Sequence, residues 1–346
     1  MPQPGNLIKF FFWKEITMID VIITAYHMHG LIDRAIASVL MQDMREGVTI
    51  TIVDDADEEP YDDVADRFRP FFGDRIRIIR KEENTGCGDS RQVGIDACEC
   101  RYFTFLDADD VFCTPFALSA MVRTAEEHNA DIVSTNFTEE VDVGKFVNHE
   151  KDRTWMHGKL YRTEFVQYND IRFNMARSNE DSAFNTLCYS LCETQCHVDY
   201  ITYTWMNNPE SLTRTRDWLR ETVCEFVGNA TYVMDELYKR RLTPTKLAEV
   251  FISYFVTIYG YYCQFLAEGR EKPFLDEYLT AARKFYEAGH GGQWLGNPKY
   301  TGILGGHYNH NGVLDGLRAR NQLILCDINH FARIIGGNKH DKNRNR

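Results

Sequence analysis

Four short apolar segments, each followed by an amphipathic stretch, constrain the fold of this chain more than any other feature. All four are rich in Ile, Val or Phe, which is typical of buried strands. They span 19–24, 48–53, 75–79 and 102–106. Three predicted helices separate them, at 31–41, 61–68 and 90–97, and Pro70 is expected to end the second. Strands that alternate with helices predict an α/β fold with a mostly parallel sheet.

The sequence beyond residue 215 has a different pattern, with long amphipathic stretches typical of helices. These predicted helices span 217–241, 246–268 and 273–288. The predicted domains are an N-terminal extension at 1–17, an α/β domain at 18–215, a helical region at 216–337 and a polar basic tail at 338–346. The uncharged stretch 250–267 approaches membrane-spanning length, but its Ser, Thr, Gln and Tyr residues favour a buried helix over a transmembrane span.

Composition excludes one large class of function. The 346 residues include 39 Lys+Arg and 51 Asp+Glu, a formal charge of −12, so general nucleic-acid binding is not expected. A hydrophobic fraction of 44% supports a substantial core. The ten cysteines are sparse for a disulfide scaffold, and no secretory signal is visible, so a cytoplasmic location is expected.

Acidic residues follow two of the predicted strands at the point where each strand ends. They are Asp54-Asp55 and the run Asp107-Ala108-Asp109-Asp110. Ligands of open α/β sheets bind at the carboxyl ends of the strands. Clustered carboxylates suit Mg²⁺ or Mn²⁺, which would in turn bridge phosphates. A solvated acidic turn that caps the next helix explains the second cluster equally well.

A phosphatase is a second interpretation of the same residues. Asp107 and Asp109 after an apolar strand fit the nucleophile motif of haloacid dehalogenase-like phosphatases. In that family the motif usually lies on the first strand, whereas three predicted strands precede it here. No downstream Lys followed by an Asp-Asp strand motif is evident. This interpretation is therefore the weaker one.

The order of the motifs along 18–213 closely resembles family 2 glycosyltransferases with the GT-A fold. The matching segments are 21–26 (VIITAY), 31–42 (LIDRAIASVLMQ), 52–56 (IVDDA), 84–86 (NTG), 90–95 (SRQVGI), 105–110 (FLDADD), 158–162 (GKLYR), 171–173 (IRF) and 179–184 (NEDSAF). Two positions depart from the family pattern, since His27 and Gln92 both stand where the family usually has Asn. These departures affect how the donor is expected to bind and not the class of enzyme.

The resemblance implies a GT-A domain that transfers a hexose-type sugar, with inversion, from a nucleotide-sugar, expected to be a UDP-sugar, to a hydroxyl acceptor. Mn²⁺ or Mg²⁺ would neutralise the leaving diphosphate. The residues expected at the donor are Thr24, Ala25, Tyr26, Asp55, Asn84, Arg91, Asp107, Ala108 and Asp109. Within this set, Asp55 would accept a hydrogen bond from the base and Arg91 would approach the diphosphate. Asp109 and Asp110 would bind the metal.

The resemblance also implies the groups on the acceptor side. Asp181 would be the general base that takes the acceptor proton. The alternative is that Glu180 and Asp181 only stabilise the N-terminus of a helix through their negative charge. The other residues expected on the sugar or acceptor side are His157, Gly158, Lys159 and Glu180. The stretch 203–213 resembles the segment that closes over the donor in this family.

The sequence leaves the acceptor and the partners open. A glycan acceptor is expected, and a protein or modified bases in viral DNA are alternatives that use the same chemistry. A non-catalytic nucleotide-sugar binding module is a third class of function. Oligomerisation through the C-terminal helices and peripheral contact with the inner face of a membrane are both compatible with the pattern.

Overall fold

The N-terminal part of the protein contains one nine-stranded sheet. The computed structural model describes residues 18–174, 176–209, 211, 218–319 and 328–337. The strands are β1 Ile19–Ala25, β2 Val48–Asp54, β3 Ile76–Arg80, β4 Tyr102–Phe105, β5 Val111–Phe112, β6 Ile132–Asp142, β7 Lys145–His149, β8 Lys159–Arg162 and β9 Gln195–Trp205. Their order across the sheet is β3-β2-β1-β4-β8-β6-β9-β5, and β7 pairs with β6. The predicted extension 1–17 and tail 338–346 lie outside the described residues.

The first four strands form the parallel half of the sheet, as the sequence predicts. β1 pairs in parallel with both β2 and β4, and β2 pairs in parallel with β3. In this register Ala25 lies opposite Asp54, and Ile22 lies opposite Phe105. The carboxyl ends of β1, β2 and β4 therefore meet at one edge, where the acidic residues follow them.

The second half of the sheet is mixed. β8 joins β4 and β6 antiparallel, β9 runs parallel to β6, and β5 pairs antiparallel with β9. This difference from the predicted, mostly parallel sheet has a simple cause. β5 has only two residues, too few to show a strand period in the sequence.

Six helices flank the sheet in the described part of the first unit. They are α1 Ile32–Leu40, α2 Asp62–Phe72, α3 Cys87–Asp96, α4 Ala117–His128, α5 Thr163–Tyr168 and α6 Glu180–Leu191. α2 does not stop at Pro70, because this proline lies in the last turn and removes a single hydrogen bond. α3 begins at Cys87, three residues before the predicted start.

Helices cover both faces of the parallel half. All seven residues of β2 are buried, which is expected only for a strand with helices on both sides. α1 buries Ile32, Ala35, Ile36 and Val39, and this spacing places all four on one face of the helix. These contacts form the core that fixes the strand ends carrying the acidic residues.

The chain divides into two compact units, Met1–Arg214 and Thr215–Arg346. The described helices of the second unit are α7 Trp218–Lys239, α8 Pro244–Ala267, α9 Lys272–Ala288, α10 Thr301–Asn309, α11 Gly312–Ala319 and α12 Ile328–Gly336. The first three agree with the predicted helices. α8 begins with Thr243 as its N-cap and Pro244 in its first turn, two residues that favour a helix start.

α8 is the one described helix with the length and composition of a membrane span. Of its most apolar 18-residue window, 61% is buried within the fold. α8 packs against α7, α9, α10 and α11, and it buries aromatic residues that include Phe251, Phe255 and Tyr259. These contacts agree with the buried helix predicted from the sequence.

Candidate functional site

The carboxyl end of β1 contributes the first side chains of the site. Thr24 Oγ1 lies 3.2 Å from the Sγ of Cys87 at the start of α3. Ala25 is buried, and Tyr26 is 41% exposed with its ring tilted against that of His27. Sequence reasoning missed Cys87, which the structure places beside the predicted donor residue Thr24.

Asp55 anchors the turn before α3. Its Oδ1 accepts hydrogen bonds from Lys81 Nζ at 2.6 Å and from the backbone N–H of Thr85 at 3.1 Å. Its Oδ2 accepts from the N–H of Gly86 at 2.9 Å. The neighbouring Asn84 is exposed. Asp55 therefore holds the turn in place, and its predicted contact with a nucleotide base stays a prediction.

Arg91 lies at the centre of the site and joins two carboxylates from different elements. Its Nη2 donates to Asp107 Oδ1 and its Nη1 to Glu180 Oε1, both at 2.9 Å. The side chain is buried, and its guanidinium lies 5.8 Å from the centre of the Phe105 ring. This bridge was not evident in the sequence, since the three charged residues are far apart along the chain. The predicted contact with a diphosphate remains a prediction.

The charge of Arg91 also sets the ionisation of Asp107. Burial alone would raise the pKa of the Asp107 carboxyl, but the nearby guanidinium outweighs it and lowers this pKa below its usual value. Asp107 is therefore ionised at neutral pH. Ala108, which follows it, is buried.

The end of β9 and the residues that follow it bind the remaining two aspartates of the acidic run. Asp110 is buried, with its Oδ2 accepting from the Tyr203 hydroxyl at 2.6 Å and its Oδ1 from the Met206 N–H at 2.8 Å. Burial, reinforced by the charges of Asp109 and Asp107, raises the pKa of Asp110 well above its usual value. Asp109 Oδ2 accepts from Asn208 Nδ2 at 2.8 Å. Residues 210, 212 and 213 of the predicted closing segment lie outside the described residues.

His157 is a buried imidazole with no hydrogen-bond partner for either ring nitrogen in the described part of the chain. Only 5% of the residue is exposed, and its ring stacks on Tyr203 with 4.6 Å between ring centres. Burial lowers the pKa of His157 to about 4, so the ring is neutral and able to act as a ligand. Leaving a buried polar atom unpaired costs about 1–3 kcal/mol, which a bound group would relieve.

Three of these side chains together fit a divalent cation. The ligand atoms of Asp107, Asp110 and His157 all lie within 4.8 Å of one another. Two carboxylates and one imidazole form a donor set that suits Mn²⁺. Asp109, which the sequence predicts as a metal ligand, lies outside this cluster, and that role stays a prediction.

Gly158 and Lys159 have structural contacts of their own. Gly158 adopts φ +61°, and a Cβ there would lie 2.4 Å from Thr135 Oγ1, so only glycine fits. Lys159 is fully buried, and its Nζ donates to Asp152 Oδ1 at 3.4 Å and to the backbone carbonyl of Trp155. These contacts brace the segment before His157. Roles of both residues toward a sugar remain predictions.

Replacing Gly158 with Ala should destabilise the protein by about 2–4 kcal/mol, because strain at positive φ adds to an overpacked contact. Gly144 provides a matched control, since it also has positive φ (+72°) but has open space where a Cβ would be. Gly144→Ala should therefore cost only about 1–2 kcal/mol. Urea denaturation of both variants measures the difference, and equal losses would show that the contact with Thr135 is unimportant.

The N-terminus of α6 supplies the last two carboxylates. Glu180 is buried, and a Cβ on Gly88 would lie 2.8 Å from its Cγ, so glycine lets α3 approach α6 closely. The pKa of Asp181 is raised to about 7, mainly by burial and secondly by the negative charge of Glu180. The structure thus brings Asp181 into one charged network with Arg91, Asp107 and Glu180, whose charges all act on it.

This chain is similar to known glycosyltransferases in sequence and in fold. Residues 20–178 match the profile described as Glycosyl transferase family 2. The uncharacterized glycosyltransferase EpsJ of Bacillus subtilis is 25% identical over 222 residues, which cover 57% of this chain and 63% of EpsJ. The processive diacylglycerol beta-glycosyltransferase of Mycoplasma pneumoniae is 30% identical over 120 residues, 34% of this chain and 35% of that protein. The chain thus spans less than two thirds of the length of either relative.

A solved structure confirms the predicted fold class. The crystal structure of S. aureus TarS 1–349 in complex with UDP-GlcNAc superimposes with a TM-score of 0.68 at 17% identity, covering 92% of this chain and 90% of that chain. An α/β sheet flanked by helices and followed by a helical region is therefore the GT-A arrangement predicted from the motifs. Residues 20–178 of this chain are thus similar to glycosyl transferase family 2.

Proposed function

We propose that this protein transfers a sugar from a nucleotide-sugar, a UDP-sugar by preference, to a hydroxyl group of a glycan, with inversion and with a divalent cation. The observation that carries the proposal is the convergence of Asp107, Asp110, His157 and Asp181 around Arg91. The match of residues 20–178 to glycosyl transferase family 2 supports sugar transfer over the phosphatase interpretation. The UDP-GlcNAc bound to TarS supports the choice of a UDP-sugar as donor.

In the proposed reaction, Asp181 accepts the proton of the acceptor hydroxyl as that oxygen attacks the anomeric carbon. The bond from this carbon to the diphosphate breaks, and the nucleoside diphosphate leaves with the electron pair. Arg91 keeps Asp107 and Glu180 in place during this step. Asp107, Asp110 and His157 would hold Mn²⁺ or Mg²⁺, which supplies positive charge for the leaving diphosphate.

A donor panel tests the proposal directly. Thermal unfolding is followed with UDP-, GDP- and dTDP-sugars, each with and without Mn²⁺, since a ligand that binds the folded state raises the melting temperature. We expect stabilisation by UDP-sugars that increases with Mn²⁺. Stabilisation by UDP-sugars without any hydrolysis or transfer would instead identify a non-catalytic binding module, and no response to any nucleotide-sugar would contradict the proposal.

Replacing His157 with Gln should weaken Mn²⁺ binding by at least about tenfold, because loss of one ligand from a three-ligand site removes over 1.4 kcal/mol of binding free energy. Isothermal titration with MnCl₂ measures the change without any need for turnover. The exposed His128 provides the control, and His128→Gln should bind Mn²⁺ like the unsubstituted protein. Equal affinity in the two variants would remove His157 from the metal site.

The rate of transfer should fall as pH decreases below about 7. The pKa of Asp181 is raised from its usual 3.8 to about 7, so its basic form is lost on acidification through that value. We expect kcat/KM to decrease about tenfold per pH unit below this pKa and to level off above it. A rate that stays constant between pH 5 and pH 7 would show that Asp181 does not titrate as the base.

The proposal also covers the acceptor and the cellular location. We propose a glycan as the acceptor. A protein or modified bases in viral DNA are alternatives that would react through the same hydroxyl chemistry. We also propose a cytoplasmic location, supported by free thiols at Cys87, Cys98 and Cys188. Peripheral membrane contact and oligomerisation through the C-terminal helices remain compatible with this proposal.

A further inference from the structure

A second group of metal-ligating side chains lies at the opposite end of β1. One ligand atom each from Asp20, Cys98 and Cys100 lies within 4.8 Å of the other two. Asp20 is the second residue of β1, whereas Ala25 at the candidate active site is its last. Five residues of strand separate these positions by about 17 Å, so this group is distinct from the cluster at His157.

Burial makes the group chemically unusual. Asp20 is 0% exposed, Cys98 is 4% exposed and Cys100 is 5% exposed. Asp20 Oδ2 accepts from Thr51 Oγ1 at 2.8 Å and from Arg77 Nη2 at 3.1 Å. Its Oδ1 is buried and has no hydrogen-bond partner in the described part of the chain. The Asp20 carboxylate thus keeps one buried oxygen without a donor even though Arg77 pairs with the other oxygen, and a bound cation would satisfy it.

We propose that Asp20, Cys98 and Cys100 bind one thiophilic divalent cation, with Zn²⁺ as the expected ion. Two thiolates select Zn²⁺ over Mg²⁺ or Mn²⁺, which prefer oxygen ligands. Binding releases the two thiol protons to solvent as two S–Zn bonds form. Three protein ligands leave the fourth tetrahedral position to water. A hollow of about 690 Å³, lined by both cysteines and Thr163, gives the ion and that water a route from solvent.

The surrounding contacts fit this assignment. Arg77 bonds to Asp20 Oδ2 and also donates to the carbonyl of Ala97 at 2.7 Å, which orients the carboxylate against the turn that carries the cysteines. Thr163 Oγ1 lies 3.6 Å from Cys98 Sγ, where a hydroxyl can donate to a thiolate. Outer contacts of this kind orient metal ligands. Two thiolates and a carboxylate would also balance the charges of Zn²⁺ and Arg77.

The site would join the start of β1 to the turn between α3 and β4. β1 and β4 lie side by side in the sheet. At the end of the strands away from this site, β1 leads to Tyr26 and β4 leads to Asp107. A bound ion would therefore stabilise the parallel half of the sheet without entering the reaction. The inference does not depend on the proposed sugar transfer.

Cobalt substitution tests the site on the whole protein. Metal-free, reduced protein is titrated with Co²⁺, and a thiolate-to-cobalt charge-transfer band in the near ultraviolet should appear and saturate at one ion per chain. The cluster at His157 contains no sulfur and cannot produce this band. Zn²⁺ added afterwards should abolish the band and raise the melting temperature.

Variants assign the ligands. Cys98→Ala and Cys100→Ala should each remove the band, and Asp20→Asn should weaken Co²⁺ binding at least tenfold. Cys188→Ala, another buried cysteine, and His157→Gln should keep the band. Circular dichroism checks that each variant is folded. Absence of the band in the unsubstituted protein, or its persistence in the Cys98 and Cys100 variants, would overturn the proposal. So would a disulfide between Cys98 and Cys100, detected by peptide mapping of the protein before reduction.

Discussion

Replacing Asp181 with Asn should lower the rate of sugar transfer by about 10²–10⁴-fold while the affinity for the nucleotide-sugar stays within about twofold. The amide has nearly the same shape as the carboxylate but cannot accept the acceptor proton. In the proposed site the donor contacts groups at the ends of β1, β2 and β4, so its binding should persist. Initial rates with a saturating donor, together with isothermal titration of that donor, measure the two quantities separately.

Asp96 supplies the matched control for this substitution. Its side chain is 48% exposed and pairs with Arg172 at 2.7 Å, away from the charged network around Arg91. Asp96→Asn should leave the rate unchanged, since exposed ion pairs contribute little. Undiminished turnover in Asp181→Asn would rule out the assignment of Asp181 as the base. A parallel loss of donor binding would point to a structural role instead.

Replacing Arg91 with Met should destabilise the protein by about 3–5 kcal/mol. The guanidinium is buried and bonds to Asp107 and Glu180, so its removal leaves two carboxylates without their counter-charge. The long apolar side chain of methionine limits the loss of packing. Urea denaturation at neutral pH gives the change in the free energy of unfolding.

An exposed arginine that also pairs with two carboxylates serves as the control. It distinguishes the loss of a buried ion pair from the loss of an exposed one. Arg67 is 45% exposed and lies 2.8 Å from Asp33 and 2.6 Å from Asp63. Arg67→Met should cost less than about 1 kcal/mol, because water screens these charges. Arg91→Lys should fall between the two, since one ammonium cannot bridge both carboxylates as the planar guanidinium does. A loss in Arg91→Met as small as in Arg67→Met would show that the bridge contributes little to stability.

The parallel half of the fold could be predicted because each of its strands leaves a local signal. β1, β2 and β4 are apolar runs that end at polar residues, and the rule for ligands at strand ends then directs attention to Asp55 and Asp107. The antiparallel pairings left no such signal. β5 has only two residues, and its pairing with β9 is what brings Tyr203 close to Asp110.

The site was therefore predicted as a set of residues and not as a set of contacts. Position in a motif identified Arg91, Asp107 and Glu180, but the bridge that joins them spans 89 residues of sequence between Arg91 and Glu180. Only tertiary structure determines such a contact. His157 was expected near the sugar, whereas its position beside Asp107 and Asp110 depends on the packing of aromatic rings from β6 and β9.

The three hydrogen bonds accepted by Asp55 have a consequence for the thermodynamics of ligand binding. The backbone of Thr85 and Gly86 is already fixed by this carboxylate, with Lys81 beside it. Each residue whose backbone is ordered loses about 1–2 kcal/mol of conformational entropy, expressed as TΔS, and here that loss occurs during folding. A nucleotide that docks at this edge would meet a preorganised turn, so more of its contact energy would remain as affinity.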